Sequence, residues 1–141
     1  MSKLPDPAEF DGVIAVVDDD EYIVEALQWW LTSEGYKVSV HLNARSLLAR
    51  LQPAANGWNL CEGAAAPVHL GAVLADLNMP GMSGLELASE LRQHAPELPV
   101  VIATAAGALE QEEITAKGII WLKKPFMIDD VEALLLNKFA A

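Results

Sequence analysis

The sequence predicts an α/β domain in which a five-stranded parallel sheet carries helices on both faces. Short apolar, β-branched runs alternate with helical patterns five times along the chain, as expected where helices connect parallel strands. The strand segments are continuously apolar, which is typical of strands buried on both faces. With 141 residues and 52% hydrophobic content, the chain is long enough for one domain with a real core.

The first half of the chain supplies two strands and two helices. The run GVIAVV (Gly12–Val17) predicts the first strand. Apolar residues at helical spacing predict a helix over Glu21–Glu34, which Gly35 ends. YKVSVH is the second strand, and NARSLLARLQ is a short helix that Pro53 ends.

The second half completes the alternation. LGAVLAD (Leu70–Asp76) predicts the third strand, and SGLELASELRQH predicts a helix with Ser83 as its cap. LPVVIAT (Leu98–Thr104) predicts the fourth strand. ALEQEEITAKG is a weak helix, IIWLKK the fifth strand, and IDDVEALLLNKF the last helix.

One long connection interrupts this pattern. Pro53–His69 (PAANGWNLCEGAAAPVH) is predicted to be a long loop before the third strand. Its Ala and Gly content favours mobility, while Trp58 and Leu60 could pin it to the domain. Loops of this length tend to be functional or mobile.

Composition limits the possible partners and compartment. The formal charge of -11, from 9 Lys+Arg and 20 Asp+Glu, argues against direct nucleic-acid binding. A single cysteine, Cys61, indicates a reducing compartment. No apolar run approaches the roughly 20 residues of a membrane span, and residues 1–11 do not resemble a signal peptide. We therefore expect a cytoplasmic protein with an N-terminal extension (1–11) and one domain (12–141).

Polar residues gather where the predicted strands end. Asp18, Asp19 and Asp20 follow the first strand, Asp76 ends the third, Thr104 ends the fourth and Lys124 ends the fifth. Sites in open parallel sheets form beyond the carboxyl ends of the strands. Clustered carboxylates are tolerable if a hard divalent cation binds among them, with Lys124 as a further counter-charge. By contrast, His41, His69 and His94 lack ligand-like spacing and are expected in loops or on the surface.

Four motifs carry a family resemblance: VVDDD, VLADLNMPGMSGLEL, VVIATA and LKKPF, in that order, each at the end of a predicted strand. With these, the sequence resembles the receiver domain of bacterial two-component response regulators, the chemotaxis-regulator-like fold. The resemblance covers roughly Gly12–Phe139. It implies a flavodoxin-like strand order, 2-1-3-4-5.

The resemblance also implies a phosphoryl site. Asp76 would accept a phosphoryl group from a partner histidine. Asp19 would bind Mg²⁺ directly and Asp18 through water, and Asp76 and the backbone carbonyl of Asn78 would complete the metal ligands. Mg²⁺ is the only cofactor implied.

Four further residues acquire implied roles. Thr104 and Lys124 would bind the phosphoryl oxygens, and a cis Lys124–Pro125 bond would aim the lysine into the site. Thr104 and Trp121 would form the conformational switch. Trp121 departs from the pattern, since the family usually has Phe or Tyr there.

The predicted function is thus a phosphoacceptor receiver of a two-component or phosphorelay system, catalysing only its own phosphorylation and dephosphorylation. Its partners would be a sensor histidine kinase or phosphotransfer protein and an unknown output protein, with a homodimer also possible. Trp29 and Trp30 are adjacent on one helix, so we expect one inside and one near the surface, where kinases dock. The alternatives are a receiver fragment of a larger regulator or hybrid kinase, a receiver that binds partners without phosphate, and a Mg²⁺-dependent phosphatase with an aspartyl nucleophile.

Overall fold

A computed structural model of the protein describes residues 12–104 and 108–124. Four helices and seven strands lie in these ranges. In chain order they are β1 (Val13–Val17), α1 (Glu21–Ser33), β2 (Lys37–His41), α2 (Ala44–Leu48), β3 (Leu51–Ala54), β4 (Gly57–Leu60), β5 (Val68–Asp76), α3 (Gly84–His94), β6 (Val100–Thr104), α4 (Ala108–Ala116) and β7 (Ile120–Lys123). The predicted last helix, IDDVEALLLNKF, lies outside the described residues.

Five of the strands form the predicted parallel sheet. β1 pairs with β2 and β5, β5 pairs with β6, and β6 pairs with β7, all in parallel. The resulting order, β2-β1-β5-β6-β7, is the 2-1-3-4-5 order that the family resemblance implied. The predicted fold class is therefore confirmed.

The long connection before β5 differs from the prediction. β3 and β4 form an antiparallel hairpin, and β4 pairs antiparallel with the start of β5 through Asn59↔His69 and Leu60↔Val68. The described sheet therefore has seven strands, where five were predicted. The predicted helix NARSLLARLQ ends at Leu48, and Pro53 lies within β3, whose only described partner is β4. A proline is tolerated at such an edge because no further strand needs its N–H.

Backbone and side-chain contacts with α3 hold this hairpin in place. The Trp58 indole N–H donates to the Leu91 carbonyl at 2.9 Å, and the Trp58 ring meets His94 edge-on with centroids 5.1 Å apart. His94 Nε2 lies 3.0 Å from the Ala54 carbonyl oxygen. Leu60 is buried in the core. Trp58 and Leu60 thus pin the segment, as the sequence suggested they could.

Two hydrophobic cores lie on opposite faces of the sheet. Along β1 the buried side chains alternate: Val13, Ala15 and Val17 belong to the core that includes residues of α2, α3 and α4. Ile14 and Val16 belong to the core that includes residues of α1. Strand residues alternate between the two faces of a sheet, so helices on both sides account for the continuously apolar sequence of β1.

Helix ends follow the local sequence. Asp20 caps α1 by accepting from the Tyr22 N–H at 2.9 Å. Ser83 caps α3 as predicted, in a reciprocal capping box with Glu86. Within residues 12–104 and 108–124, no helix combines the length and apolar character needed to cross a membrane.

Candidate functional site

Three of the predicted carboxylates converge at the carboxyl end of the sheet. β1 and β5 are neighbours with Val17 opposite Ala75, so the residues that follow, Asp18 and Asp76, leave the sheet at the same level. One carboxylate oxygen from each of Asp18, Asp19 and Asp76 lies within 4.8 Å of the others. Oxygen-only ligands are those that a hard cation such as Mg²⁺ takes. The residues present therefore fit a divalent cation.

Burial raises the free-energy cost of the negative charges in this cluster. Asp18 and Asp76 are 4% and 7% exposed, whereas Asp19 is exposed. Burial raises the pKa of the Asp18 carboxyl, and the negative charge of Asp76 acts in the same direction. The Asp20 N–H donates to Asp18 Oδ1 at 2.9 Å and opposes this effect, as does Lys124. A cation would relieve the remaining repulsion.

Lys124 places a positive charge directly beside the carboxylate cluster. Its Nζ lies 3.0 Å from Asp76 Oδ1 and 3.2 Å from Asp18 Oδ2. Burial alone would lower the pKa of this ammonium, but the hydrogen bond to Asp76 and the two negative charges outweigh burial and raise it. The Lys124 backbone N–H also donates to the Thr104 carbonyl at 2.8 Å. Lys124 is therefore charged and aimed at both buried carboxylates.

Thr104 and Asn78 occupy the same edge of the sheet. Thr104 ends β6 and is fully buried, and β6 lies beside β5 with Ala103 opposite Asp76. Asn78 is exposed in the loop two residues after Asp76. All the predicted site residues before Pro125 except Trp121 are thus at the ends of β1, β5, β6 and β7, while Trp121 lies within β7.

The loop after β5 is held tightly against the site. The Leu77 N–H donates to the Ala103 carbonyl at 2.8 Å, and the Gly84 N–H donates to the Leu77 carbonyl at 3.0 Å. A Cβ at Gly84 would collide with the Asp76 carbonyl oxygen, so only glycine lets α3 begin this close to Asp76. Gly81 adopts φ +83°, a left-handed conformation that favours glycine, in the loop that follows Asn78.

The structure also contains a polar cluster that the sequence did not predict, formed by Ser39, His41 and Glu62. His41 is buried in β2, and His69 is part of β5, so the expectation that both lie in loops or on the surface was wrong. His41 Nε2 lies 2.6 Å from Ser39 Oγ, which donates to Glu62 Oε1 at 3.0 Å. Burial lowers the pKa of His41. The i, i+2 spacing of Ser39 and His41 places both on one strand face, but nothing in the sequence indicates Glu62 as their partner.

The predictions for the tryptophan pair, Asp20 and Pro125 have different outcomes. Trp30 is buried, while Trp29 is 71% exposed, which confirms that one of the pair faces inward and the other outward. Asp20 is a helix cap and not a member of the carboxylate cluster. The predicted cis bond before Pro125 lies outside the described residues.

Comparisons with known proteins agree with this geometry. Residues 14–136 match the family described as the response regulator receiver domain. The transcriptional regulatory protein FixJ of Azorhizobium caulinodans is 31% identical over 115 residues, covering 80% of this chain and 48% of FixJ. The DNA-binding transcriptional regulator NtrC of Salmonella typhimurium is 32% identical over 126 residues, covering 88% of this chain and 24% of NtrC.

The fold comparison is equally consistent. The structure of the non-phosphorylated HemR receiver domain from Leptospira biflexa superposes on this structure with a TM-score of 0.75. The two chains are 24% identical, and the match covers 92% of this chain and 94% of that one. The chain spans about half the length of FixJ and about a quarter of NtrC.

Proposed function

Because this chain belongs to the response regulator receiver domain family, whose members are phosphorylated on an aspartate by histidine kinases, we propose that Asp76 is its phosphoacceptor. The observation that carries this assignment is the position of Asp76 beside both the carboxylate cluster that fits a cation and the ammonium group of Lys124. Its carboxylate shares a possible metal site with Asp18 and Asp19 and contacts Lys124 at 3.0 Å.

The proposed transfer needs a donor phosphohistidine. A carboxylate oxygen of Asp76 attacks phosphorus, the P–N bond to the donor imidazole breaks, and the electron pair leaves with the imidazole nitrogen. Phosphoryl transfer passes through a loose transition state in which charge is spread over the phosphoryl oxygens, so positioning and neutralisation dominate catalysis. Beyond these steps and later hydrolysis of its own acyl phosphate, we propose no enzymatic activity for the chain.

Mg²⁺ would be held by Asp18, Asp19 and Asp76, with the Asn78 backbone carbonyl as a further ligand. When bound, it supplies charge neutralisation for the carboxylates and the incoming phosphoryl oxygens. Lys124 contributes a point charge that already lies within hydrogen-bonding distance of Asp76. Thr104, which ends β6 one residue after Ala103, the register partner of Asp76, is proposed to donate to a phosphoryl oxygen.

A labelling experiment tests the assignment. The protein is incubated with Mg²⁺ and a small-molecule phosphodonor, and one acid-stable, base-labile phosphoryl group per chain is expected by mass spectrometry. Asp76→Asn should abolish it. Asp20→Asn removes the same charge nearby but keeps the helix-capping oxygen, so this control should be labelled normally. Equal labelling of Asp76→Asn and the unmodified protein would refute the proposal.

The hydrolase alternative has less support. An aspartyl phosphatase of the dehalogenase type needs an Asp-x-Asp motif, whereas Asp76 is followed by Leu77 and Asn78. The domain limits that we propose, 12–141 after an extension at 1–11, contain the matched residues 14–136. Because the related regulators are much longer than the match, the chain as part of a larger regulator or hybrid kinase stays open.

Docking of the phosphoryl-donor partner is proposed on the exposed face of α1. Tyr22 and Trp29 are 85% and 71% exposed and lie seven residues apart on α1, hence on one helix face. We place the docking of the histidine kinase or phosphotransfer protein on this face, beside Asp18 and Asp19. Output would be phosphorylation-dependent binding to another protein surface, in the cytoplasm, with no direct nucleic-acid contact given the charge of -11.

The proposed switch links Thr104 to Trp121. Ile102 is opposite Trp121 in the β6–β7 register, and Ile102 and Trp121 belong to the same core. Thr104 lies two residues after Ile102, hence on the same sheet face, so Thr104 and Trp121 are diagonal neighbours. Phosphorylation would draw Thr104 toward the phosphoryl oxygens, and Trp121 would rotate into the space that Thr104 leaves. This is a shift between two packings biased by a new hydrogen bond.

A further inference from the structure

The indole of Trp121 has a hydrogen-bond partner on α4. Its Nε1–H donates to the Thr115 hydroxyl at 3.1 Å. Thr115 is exposed in the last turn of α4, and Trp121 is half-buried against the core that includes Ile114 of the same helix. The switch residue is therefore tied to the helix before it.

The segment between these two residues is itself well held. The Gly118 N–H donates to the Thr115 carbonyl at 2.9 Å, and the Ile119 N–H donates to the Ile114 carbonyl at 3.3 Å. From α3, Arg92 Nη1 donates to the Gly118 carbonyl at 3.3 Å. Because the end of α4 and the start of β7 are fixed relative to each other, Thr115 presents its hydroxyl group to one orientation of the Trp121 ring.

We infer that Thr115 is a positioning residue that holds Trp121 in its half-exposed orientation and so disfavours the phosphorylated state. This inference rests on the switch proposed above. Side-chain rotamers are about 120° apart, so a ring that rotates toward Thr104 carries Nε1 away from Thr115. The hydrogen bond exists in one packing only, and a contact made in one of two states shifts their populations. Phenylalanine at this position could not make the bond, since it has no N–H.

The expected effect follows from the hydrogen bond. A net hydrogen bond between neutral groups changes an equilibrium by about 2- to 10-fold. The apparent affinity for a ligand of the rarer state rises in proportion to the population of that state. Removing the Thr115 hydroxyl should therefore tighten the binding of a phosphoryl mimic to Asp76 by about 2- to 10-fold.

The experiment uses 5-fluorotryptophan labelling and beryllofluoride with Mg²⁺ as the mimic. The chain has four tryptophans, and the ¹⁹F resonance lost in Trp121→Phe identifies Trp121. Thr115→Val keeps the β-branched shape but removes the acceptor, and Thr115→Ser restores it. We expect Thr115→Val to bind the mimic more tightly and to shift the free-state Trp121 resonance toward its mimic-bound position. Thr115→Ser should match the unmodified protein.

A double-mutant cycle shows whether the effect acts through the indole. In the Trp121→Phe background, Thr115→Val should leave mimic affinity unchanged. The inference is overturned if Thr115→Val binds the mimic with unmodified affinity while the Trp121 resonance of the unmodified protein moves on binding. If that resonance does not move, the switch is wrong and the inference fails with it. If the unmodified protein does not bind the mimic at Asp76, the proposed function itself fails.

Discussion

Replacing Asp18 with asparagine removes one negative charge from the carboxylate cluster and preserves the side-chain shape. The structure lets the opposing contributions be compared. At an effective dielectric constant of about 20, two unit charges 4.8 Å apart, the upper limit for the Asp18 and Asp76 oxygens, repel by about 3.5 kcal/mol. At the 3.2 Å between Lys124 Nζ and Asp18 Oδ2, the attraction is about 5 kcal/mol.

These two contributions nearly cancel once the exposed, screened charge of Asp19 is added to the repulsion. Desolvation then decides whether Asp18→Asn stabilises or destabilises the protein, because Asp18 is only 4% exposed and removing a carboxylate from water costs several kcal/mol. The raised pKa of Asp18 has the same primary cause. An asparagine oxygen can still accept from the Asp20 N–H. We therefore expect Asp18→Asn to stabilise the metal-free protein by about 1–2 kcal/mol, raising Tm by about 3–8 °C for a chain of this length.

Metal should reverse this advantage. A ligand that binds only the folded state at 100 times its Kd stabilises by about 2.7 kcal/mol, and Asp18→Asn removes one of the carboxylates that would hold Mg²⁺. Thermal unfolding followed by circular dichroism in EDTA and in excess Mg²⁺ measures both effects. Asp20→Asn is the matched control and should change Tm little in either buffer. An Asp18→Asn protein that melts at or below the unmodified protein in EDTA would refute the desolvation argument.

Three further predictions concern residues around the site. Trp58→Phe keeps an aromatic ring but loses the 2.9 Å hydrogen bond to the Leu91 carbonyl. It should destabilise the protein by about 1 kcal/mol in urea unfolding, whereas Trp29→Phe on the exposed face should not. Equal effects would contradict the anchoring role of Trp58. Gly84→Ala should lower the free energy of unfolding by more than about 2 kcal/mol and reduce phosphoryl labelling of Asp76, because its Cβ would collide with the Asp76 carbonyl oxygen. Ser89→Ala, an exposed position on the same helix, is the control. Normal labelling of Gly84→Ala would argue against tight packing at this position. Burial, aided by Arg50 and opposed by Glu62, lowers the pKa of His41 below its ordinary 6.5, so the folded protein binds fewer protons than the unfolded chain and stability should fall as pH drops through 6.5. His41→Gln should flatten that slope between pH 7.5 and 5.5, and an unchanged slope would assign the pH dependence to other groups.

The parallel sheet and the carboxylate cluster were predictable from the sequence because each depends on a local pattern. Continuous apolar runs such as Gly12–Val17 identify strands covered on both faces. Parallel strands present their carboxyl ends to one edge, so residues that follow those runs, such as Asp18 and Asp76, are brought together by topology alone. The capping role of Ser83 is also local, since it depends on a residue three positions away.

Only the tertiary structure decided the hairpin of β3 and β4. Its strands are four residues each and contain glycine and proline, so their sequence carries no strand signal strong enough to recognise. They form because Trp58 and Leu60 find partners in α3 and the core, which are distant along the chain. The hydrogen bond from Ser39, the partner of His41, to Glu62 likewise joins residues that are distant along the chain.

The Trp121–Thr115 hydrogen bond belongs to this second class. The family resemblance indicated an aromatic switch at Trp121, but not the group that its indole N–H would contact. That contact depends on where α4 ends relative to β7 and on a ring orientation set by packing. Local patterns along the chain determine which elements form and which residues end at a common edge, whereas contacts between distant side chains are determined by three-dimensional packing that one-dimensional spacing does not encode.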